Sequence, residues 1–409
     1  MFWDEEAARQ GVAEKTVGVK EEFDAVAFGA RLHEARTSAN LSQVEMSRLL
    51  DLSQATYSRM ENGRIEPSRV TSTLLERASQ AVSRSMAWLL LGSPVRARIR
   101  LAARRTDEED VRTRAERALG LLELDAELDD VAEFTNLGPS VADGATWQQY
   151  VEPKAHASRR QGKDRADRLR KVLGLGAAPL NDVPAVLEHY LGVDAAVLDF
   201  PDGLSAVAVF DDERALAFLA VCAAEPWVRQ RFSFAHELAH VLFADGHAYD
   251  HDHRHSTIEM RAEKFAQNFL IPEAGIRAWM TEHHYGPHDR VSRDDACRLA
   301  DLYGVSPRTA WIALTDIDAA PKVEPPTSAS AAVVAGTLAR HQTRERSCHT
   351  ERVPARMEAR ILEAFRTGFL SAAATANALG QDPSILIEAG QIIDDDPRTR
   401  EASGVPSPA

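Results

Sequence analysis

Residues 231–243 read RFSFAHELAHVLF. Phe232, Leu238, Ala239, Val241, Leu242 and Phe243 carry enough apolar surface to hold a helix in a core, and on a helix positions i and i+4 lie one above the other. His236 and His240 therefore present two imidazoles to one point in space, a geometry that suits a single zinc ion. Glu237, one residue after the first histidine, projects beside that point, where it can take a proton from a bound water and pass it to a leaving amine. A surface pair of histidines is the plain alternative. The apolar character of the helix argues against it, because two unpaired imidazoles in a core are costly.

Working outward, the chain ahead of this helix reads as a charged helix (RADRLRKVLG), a second helix (DVPAVLEHYLG) and three apolar runs, VDAAVLDF, SAVAVF and ALAFLAV, separated by turn residues. Those runs predict a small three-stranded sheet, hence a central α+β domain over residues 156–318. Behind the motif, STIEMRAEKFAQNFLIP (256–272) predicts a helix with Ala262, Phe265, Ala266, Phe269 and Leu270 on its buried stripe and Pro272 as its stop. Glu259 and Glu263 lie one turn apart on it, and either can reach a metal held by the histidines; a solvated acidic face is the alternative for each. The intervening DGHAYDHDHRHS carries His247, His251, His253 and His255. It reads as a solvated loop, with a second metal site as the rival reading. Peptide hydrolysis also needs an oxyanion stabiliser, for which Tyr249 and these histidines are the candidates.

RFSFAHELAH followed by EMRAEKFAQNFLIP, behind strands in this order, resembles the ImmA/IrrE family of zinc peptidases. The resemblance covers residues 158–275 and extends more loosely to the C-terminal helices. It implies His236, His240 and Glu259 as metal ligands and Glu237 as the catalytic base. Glu263 falls where the family usually carries a smaller amide or carboxylate, which implies a group beside the ligands or an alternative ligand. Zn2+ is the implied cofactor, with Mn2+ also compatible with a His, His, Glu set. The implied substrate is a protein, a helix-turn-helix repressor cleaved to induce stress-response or mobile-element genes.

A second constellation lies at residues 28–69, FGARLHEARTSANLSQVEMSRLLDLSQATYSRMENGRIEPSR. Helix one is expected to end near Ala39. Ser42 caps the next helix, with Glu45 completing a capping box. Asp51 occupies the turn, Ser53 caps a third helix and Gly63 ends it. This is a helix-turn-helix pattern whose second helix offers Gln54, Ala55, Thr56, Ser58 and Arg59 to a major groove. It resembles the Cro/repressor-type (XRE) regulators, which implies a phosphate contact for Gln43 and base or phosphate contacts for Gln54, Ala55 and Arg59; the capping Ser53 is expected among the DNA-binding residues as well. Asp51 departs from the glycine preferred there. Six arginines against five acids leave the stretch with one net positive charge, so specific binding is expected as a homodimer on paired half-sites. A protein-interaction module without DNA binding is the alternative.

The 409 residues hold 44% hydrophobic residues and a net charge of −14, which confines any DNA contact to a local surface. No run is apolar enough for a membrane span, and the opening MFWDEEAARQ lacks the pattern of a secretion signal, so a cytoplasmic protein is expected. Cys222, Cys297 and Cys348 lack the paired spacing of a thiolate zinc site. The expected organisation is mainly α and multidomain: a flexible N-terminus (1–25), a helix-turn-helix bundle (26–94), a helical connector and loop (95–155), the peptidase domain, a Pro- and Ala-rich linker (319–350), a C-terminal helical domain (351–395) and a disordered tail (396–409). The C-terminal unit, with turns at Gly368 and Gly380, is expected to serve substrate docking or packing rather than DNA binding. Two rivals to a regulatory peptidase are a transcription regulator whose peptidase-like domain senses a metal or ligand without turnover, and an antitoxin-like binding protein. Glu237 weighs against both, since a structural metal has no use for a base beside its ligands.

Overall fold

The computed structural model describes residues 23–82 except 40, residues 84, 86–92, 100–102, 113–132, 147–152, 157–245 except 202 and 212, 257–326 except 287, 344, and 348–386 except 371 and 383. The His-rich segment with Tyr249 lies outside them, as do most of the expected linker, N-terminus, loop 136–155 and tail.

In chain order the elements are α1 (Ala25–Ser38), α2 (Gln43–Leu49), α3 (Gln54–Glu61), α4 (Ser72–Val82), α5 (Met86–Leu91), β1 (Arg100–Ala102), α6 (Glu116–Ala132), α7 (Arg159–Val172), α8 (Val183–Leu191), β2 (Val193–Leu198), β3 (Ala206–Asp211), β4 (Leu216–Cys222), α9 (Trp227–Phe243), α10 (Thr257–Leu270), α11 (Glu273–Glu282), α12 (Arg293–Tyr303), α13 (Pro307–Asp316), α14 (Ala355–Arg366) and α15 (Ala372–Leu379).

The three expected strands are present, and the short β1 joins them in the order β1-β3-β4-β2. β2 runs parallel to β4, and β3 runs antiparallel to both β4 and β1. Every residue of β2, β3 and β4 is buried, because the sheet is covered on both faces. Ala217, Leu219 and Val221 of β4 point into the core shared with α7 to α13. Their neighbours Phe218, Ala220 and Cys222 point into a second core with α6, α14 and α15. Continuous apolar runs are what such doubly covered strands require.

That second layer revises the expected domain boundaries. The C-terminal helices form as expected but lie against the sheet, and Arg352 pairs with the edge of β2 through reciprocal backbone bonds with Val197. α6, expected as part of a connector, is an equal member of this layer. Its buried Asp125 meets Arg214, Arg356 and Arg360. The five N-terminal helices close on their own core around Phe28, Leu32, Met46, Tyr57 and Leu89, and Arg84 after α4 reaches Glu127 of α6 at 2.9 Å.

Candidate metal centre and nucleic-acid interface

α9 packs against β3 and β4, and its Phe234, Ala235, Leu238 and Leu242 belong to the core beneath the sheet. His236 and His240 leave the helix on another side, 0% and 1% exposed, and Glu237 between them is 2% exposed. α10 crosses beside this helix and brings in Glu259. The two histidine Nε2 atoms are 3.0 Å apart. Glu259 Oε2 lies 3.3 Å from His236 Nε2, and Oε1 lies 3.4 Å from His240 Nε2. Ligands of a tetrahedral zinc at about 2.0–2.1 Å stand about 3.3–3.4 Å apart. The three side chains therefore fit one such ion, and among the described residues they are the group able to hold one.

The electrostatics agree. Burial acts to lower the pKa of His240, but its hydrogen bonds to Asp245 and Glu259, with the nearby Glu237 charge, overcome this and raise it to about 9. Burial acts to raise that of Glu259, and hydrogen bonds from both histidines more than offset it, holding the carboxyl far below the usual carboxylate range. Without a metal the cluster draws a proton into a buried space ringed by carboxylates, the same demand for positive charge that a divalent cation meets.

Of the two acids left open by the sequence, Glu259 joins the histidines. Glu263, one turn on, is exposed and stands outside the cluster. Two residues that the sequence reading did not single out touch the site. Asp245, just past the end of α9, places Oδ2 3.1 Å from His240 Nδ1, and Arg261 of α10 donates to Asp245 Oδ1.

In the N-terminal unit, Ser42 and Glu45 form the expected capping box and the Ser53 side chain caps α3. Ser53, Gln54, Ala55 and Arg59 are exposed, and Thr56 and Ser58 are half-buried. Together they make one face of α3. Gln43 is half-buried, and its amide donates to Glu61 at 2.7 Å. Glu61 also accepts from Tyr57 at 2.8 Å and pairs with Arg36, so the residue expected on a phosphate is tied into the network that fixes α1 to α3. Asp51 adopts φ 57 in the turn, the left-handed conformation that explains the glycine preference there.

No helix among the described residues is long and apolar enough to cross a membrane. Comparison with known families matches residues 188–315 to the IrrE N-terminal-like domain, a peptidase family, and residues 27–87 to a helix-turn-helix domain. No curated protein matches the chain. The first match contains His236, Glu237, His240 and Glu259, and the second contains all of α2 and α3: the chain carries an IrrE N-terminal-like peptidase domain preceded by a helix-turn-helix domain, the pairing that the resemblance to ImmA/IrrE peptidases and XRE-type regulators implies.

Proposed function

We propose that the protein is a DNA-binding regulatory zinc endopeptidase acting in the cytoplasm, with a helix-turn-helix repressor as its substrate and induction of stress-response or mobile-element genes as the outcome. The observation that carries this reading is the convergence of His236, His240 and Glu259 around one point, with the buried Glu237 close enough for its charge to act on His240.

In this reading His236 and His240 through Nε2, and Glu259 through its carboxylate, hold Zn2+, with Mn2+ the other ion the set accepts. A bound zinc supplies electrophilic activation of water and of the scissile carbonyl. Glu237 takes the proton from the attacking water on its carboxylate and delivers it to the amide nitrogen as the C–N bond breaks. Burial of the cluster keeps bulk water away, so these charges act at low dielectric. Gln54, Ala55, Thr56, Ser58 and Arg59 of α3 face a DNA major groove, with Ser53 beside them and Gln43 at a backbone phosphate, in a homodimer spanning two half-sites. The repressor assignment rests on the paired domains and on the family resemblance.

The test compares new protein N-termini in cells expressing the wild type or Glu237→Gln, with and without stress. A repressor cut only by the wild type identifies the substrate. Identical cleavage patterns, with both proteins loaded with zinc and on the same promoters, would overturn the peptidase reading in favour of a metal or ligand sensor.

A further inference from the structure

α9 does not simply stop after the motif. Ala244 takes a left-handed conformation, φ 55 and ψ 42, and turns the chain so that the Asp245 backbone N–H donates to His240 O at 3.0 Å. That turn folds the Asp245 side chain back under the second histidine. One carboxylate oxygen lies 3.1 Å from His240 Nδ1, and the other accepts from Arg261. Both residues are buried, Asp245 at 7% and Arg261 at 1% exposure. The guanidinium lies 4.0 Å from the centre of the Phe243 ring, the last residue of α9. Asp245 is the carboxylate that meets it among the described residues.

A buried arginine is expensive unless its partner geometry is fixed. Here the geometry is fixed twice, by a carboxylate on one side and an aromatic face on the other. Arg261 stands two residues after Glu259, so α10 delivers both a proposed ligand and the cation that fastens the opposite ligand's anchor. An imidazole has two nitrogens, and the bond made by one decides what the other can do. With Asp245 accepting from Nδ1–H, the Nε2 lone pair is left facing His236 and Glu259.

We propose that Asp245 and Arg261 are positioning residues of the metal centre: Asp245 fixes the tautomer and ring orientation of His240, and Arg261 locks Asp245 in place while stapling α9 to α10. The inference rests on reading His236, His240 and Glu259 as metal ligands. It differs from the plainer role in which the pair only closes the end of α9, because a closure would affect folding and leave metal affinity alone.

The experiment uses the full chain, stripped of metal, with zinc alone titrated against a chromophoric chelator, and with Co2+ alone read by its visible absorption. Melting of the metal-free protein is recorded alongside. Asp245→Asn keeps the shape but places an amide where both His240 and Arg261 need an acceptor. Arg261→Met keeps bulk on Phe243 and removes the donor. A loss of about 10–100-fold in zinc affinity is expected for Asp245→Asn and about 10-fold for Arg261→Met, with an altered Co2+ spectrum in each. Should Asp245→Asn fail to fold, Arg261→Met carries the same comparison. Zinc affinity and Co2+ spectra equal to wild type in a folded variant overturn the proposal. Failure of the underlying reading looks different: the wild type then binds no stoichiometric zinc, or His236→Ala binds it equally well.

Discussion

Gly162 sits inside α7, where a glycine costs about 1 kcal/mol relative to alanine, in a helix otherwise rich in charge. Its reason is the helix that lies across it. A Cβ added there would stand 2.2 Å from Arg261 O and 2.9 Å from Phe265 N, both backbone atoms of α10. Gly162→Ala therefore forces α7 and α10 apart by roughly 1 Å to restore ordinary contact. Overpacking of this kind costs about 1–3 kcal/mol, and the better helix propensity of alanine returns about 1 kcal/mol. Net destabilisation of about 0–2 kcal/mol is expected, which leaves the protein folded. The functional effect is larger than the stability effect, because α10 carries Glu259 and Arg261, and a displacement near 1 Å at a reacting centre costs about 100-fold in rate. Chemical denaturation of the metal-free protein gives the first number, a chelator competition gives zinc affinity, and Glu237-dependent cleavage of the substrate gives the rate. A folded Gly162→Ala protein with wild-type zinc affinity and cleavage would refute the reasoning, since Glu259 would then be placed by something other than the α7–α10 crossing.

At Asp51 the backbone is left-handed, and among the described residues the side chain makes an exposed 3.8 Å ion pair with Arg77, worth little. Asp51→Gly should raise stability by about 0.5–1 kcal/mol in thermal melts with unchanged operator affinity. Asp125 and Asp194 share Arg356 but should respond oppositely. Burial raises the pKa of Asp194 to about 6 against a partial pull from Arg356. Asp125, pushed up by burial, is held below its ordinary value by three arginines. The raised Asp194 destabilises the fold once ionised, a penalty that grows as pH rises from about 4 through 6. Asp194→Asn should then stabilise by about 1–3 kcal/mol at pH 8 and by little at pH 4, whereas Asp125→Asn should cost about 3–5 kcal/mol at pH 8. Urea denaturation at the two pH values reads both.

The local chemistry of the site was legible because it is helical. Two histidines at i and i+4 need no tertiary knowledge to converge, and an apolar stripe stopped by Pro272 was enough to expect the helix that brings Glu259. Choosing between Glu259 and Glu263 was not open to periodicity, since residues one turn apart share a face, and the resemblance pointed to the one that joins the cluster. Asp245 was hidden for another reason. It opens a run of acids and histidines in which nothing marks one acid, and its role depends on Ala244 turning left-handed, a conformation that alanine rarely takes. Arg261 left a fainter trace: it shares a helix face with buried Phe265, four residues on, and an arginine there must find a partner inside.

The larger miss concerns the far side of the sheet. VDAAVLDF, SAVAVF and ALAFLAV have no polar alternation, which already says that both faces are covered; the helices around the metal centre cover one. From the sequence alone the second cover reads as a connector and a separate C-terminal unit, and the connector's stretch ELDAELDD, residues 123–130, is rich in acids. Glu123 and Asp125 in it are in fact 0% and 2% exposed, and the partners of Asp125 include arginines of α14 at the other end of the chain. Charge in a helix signals solvent only when its counter-charge is not waiting elsewhere in the sequence. The strands posed a question that local patterning of the acidic helix could not answer. Joining the two would have placed α6, α14 and α15 on the second face of the sheet.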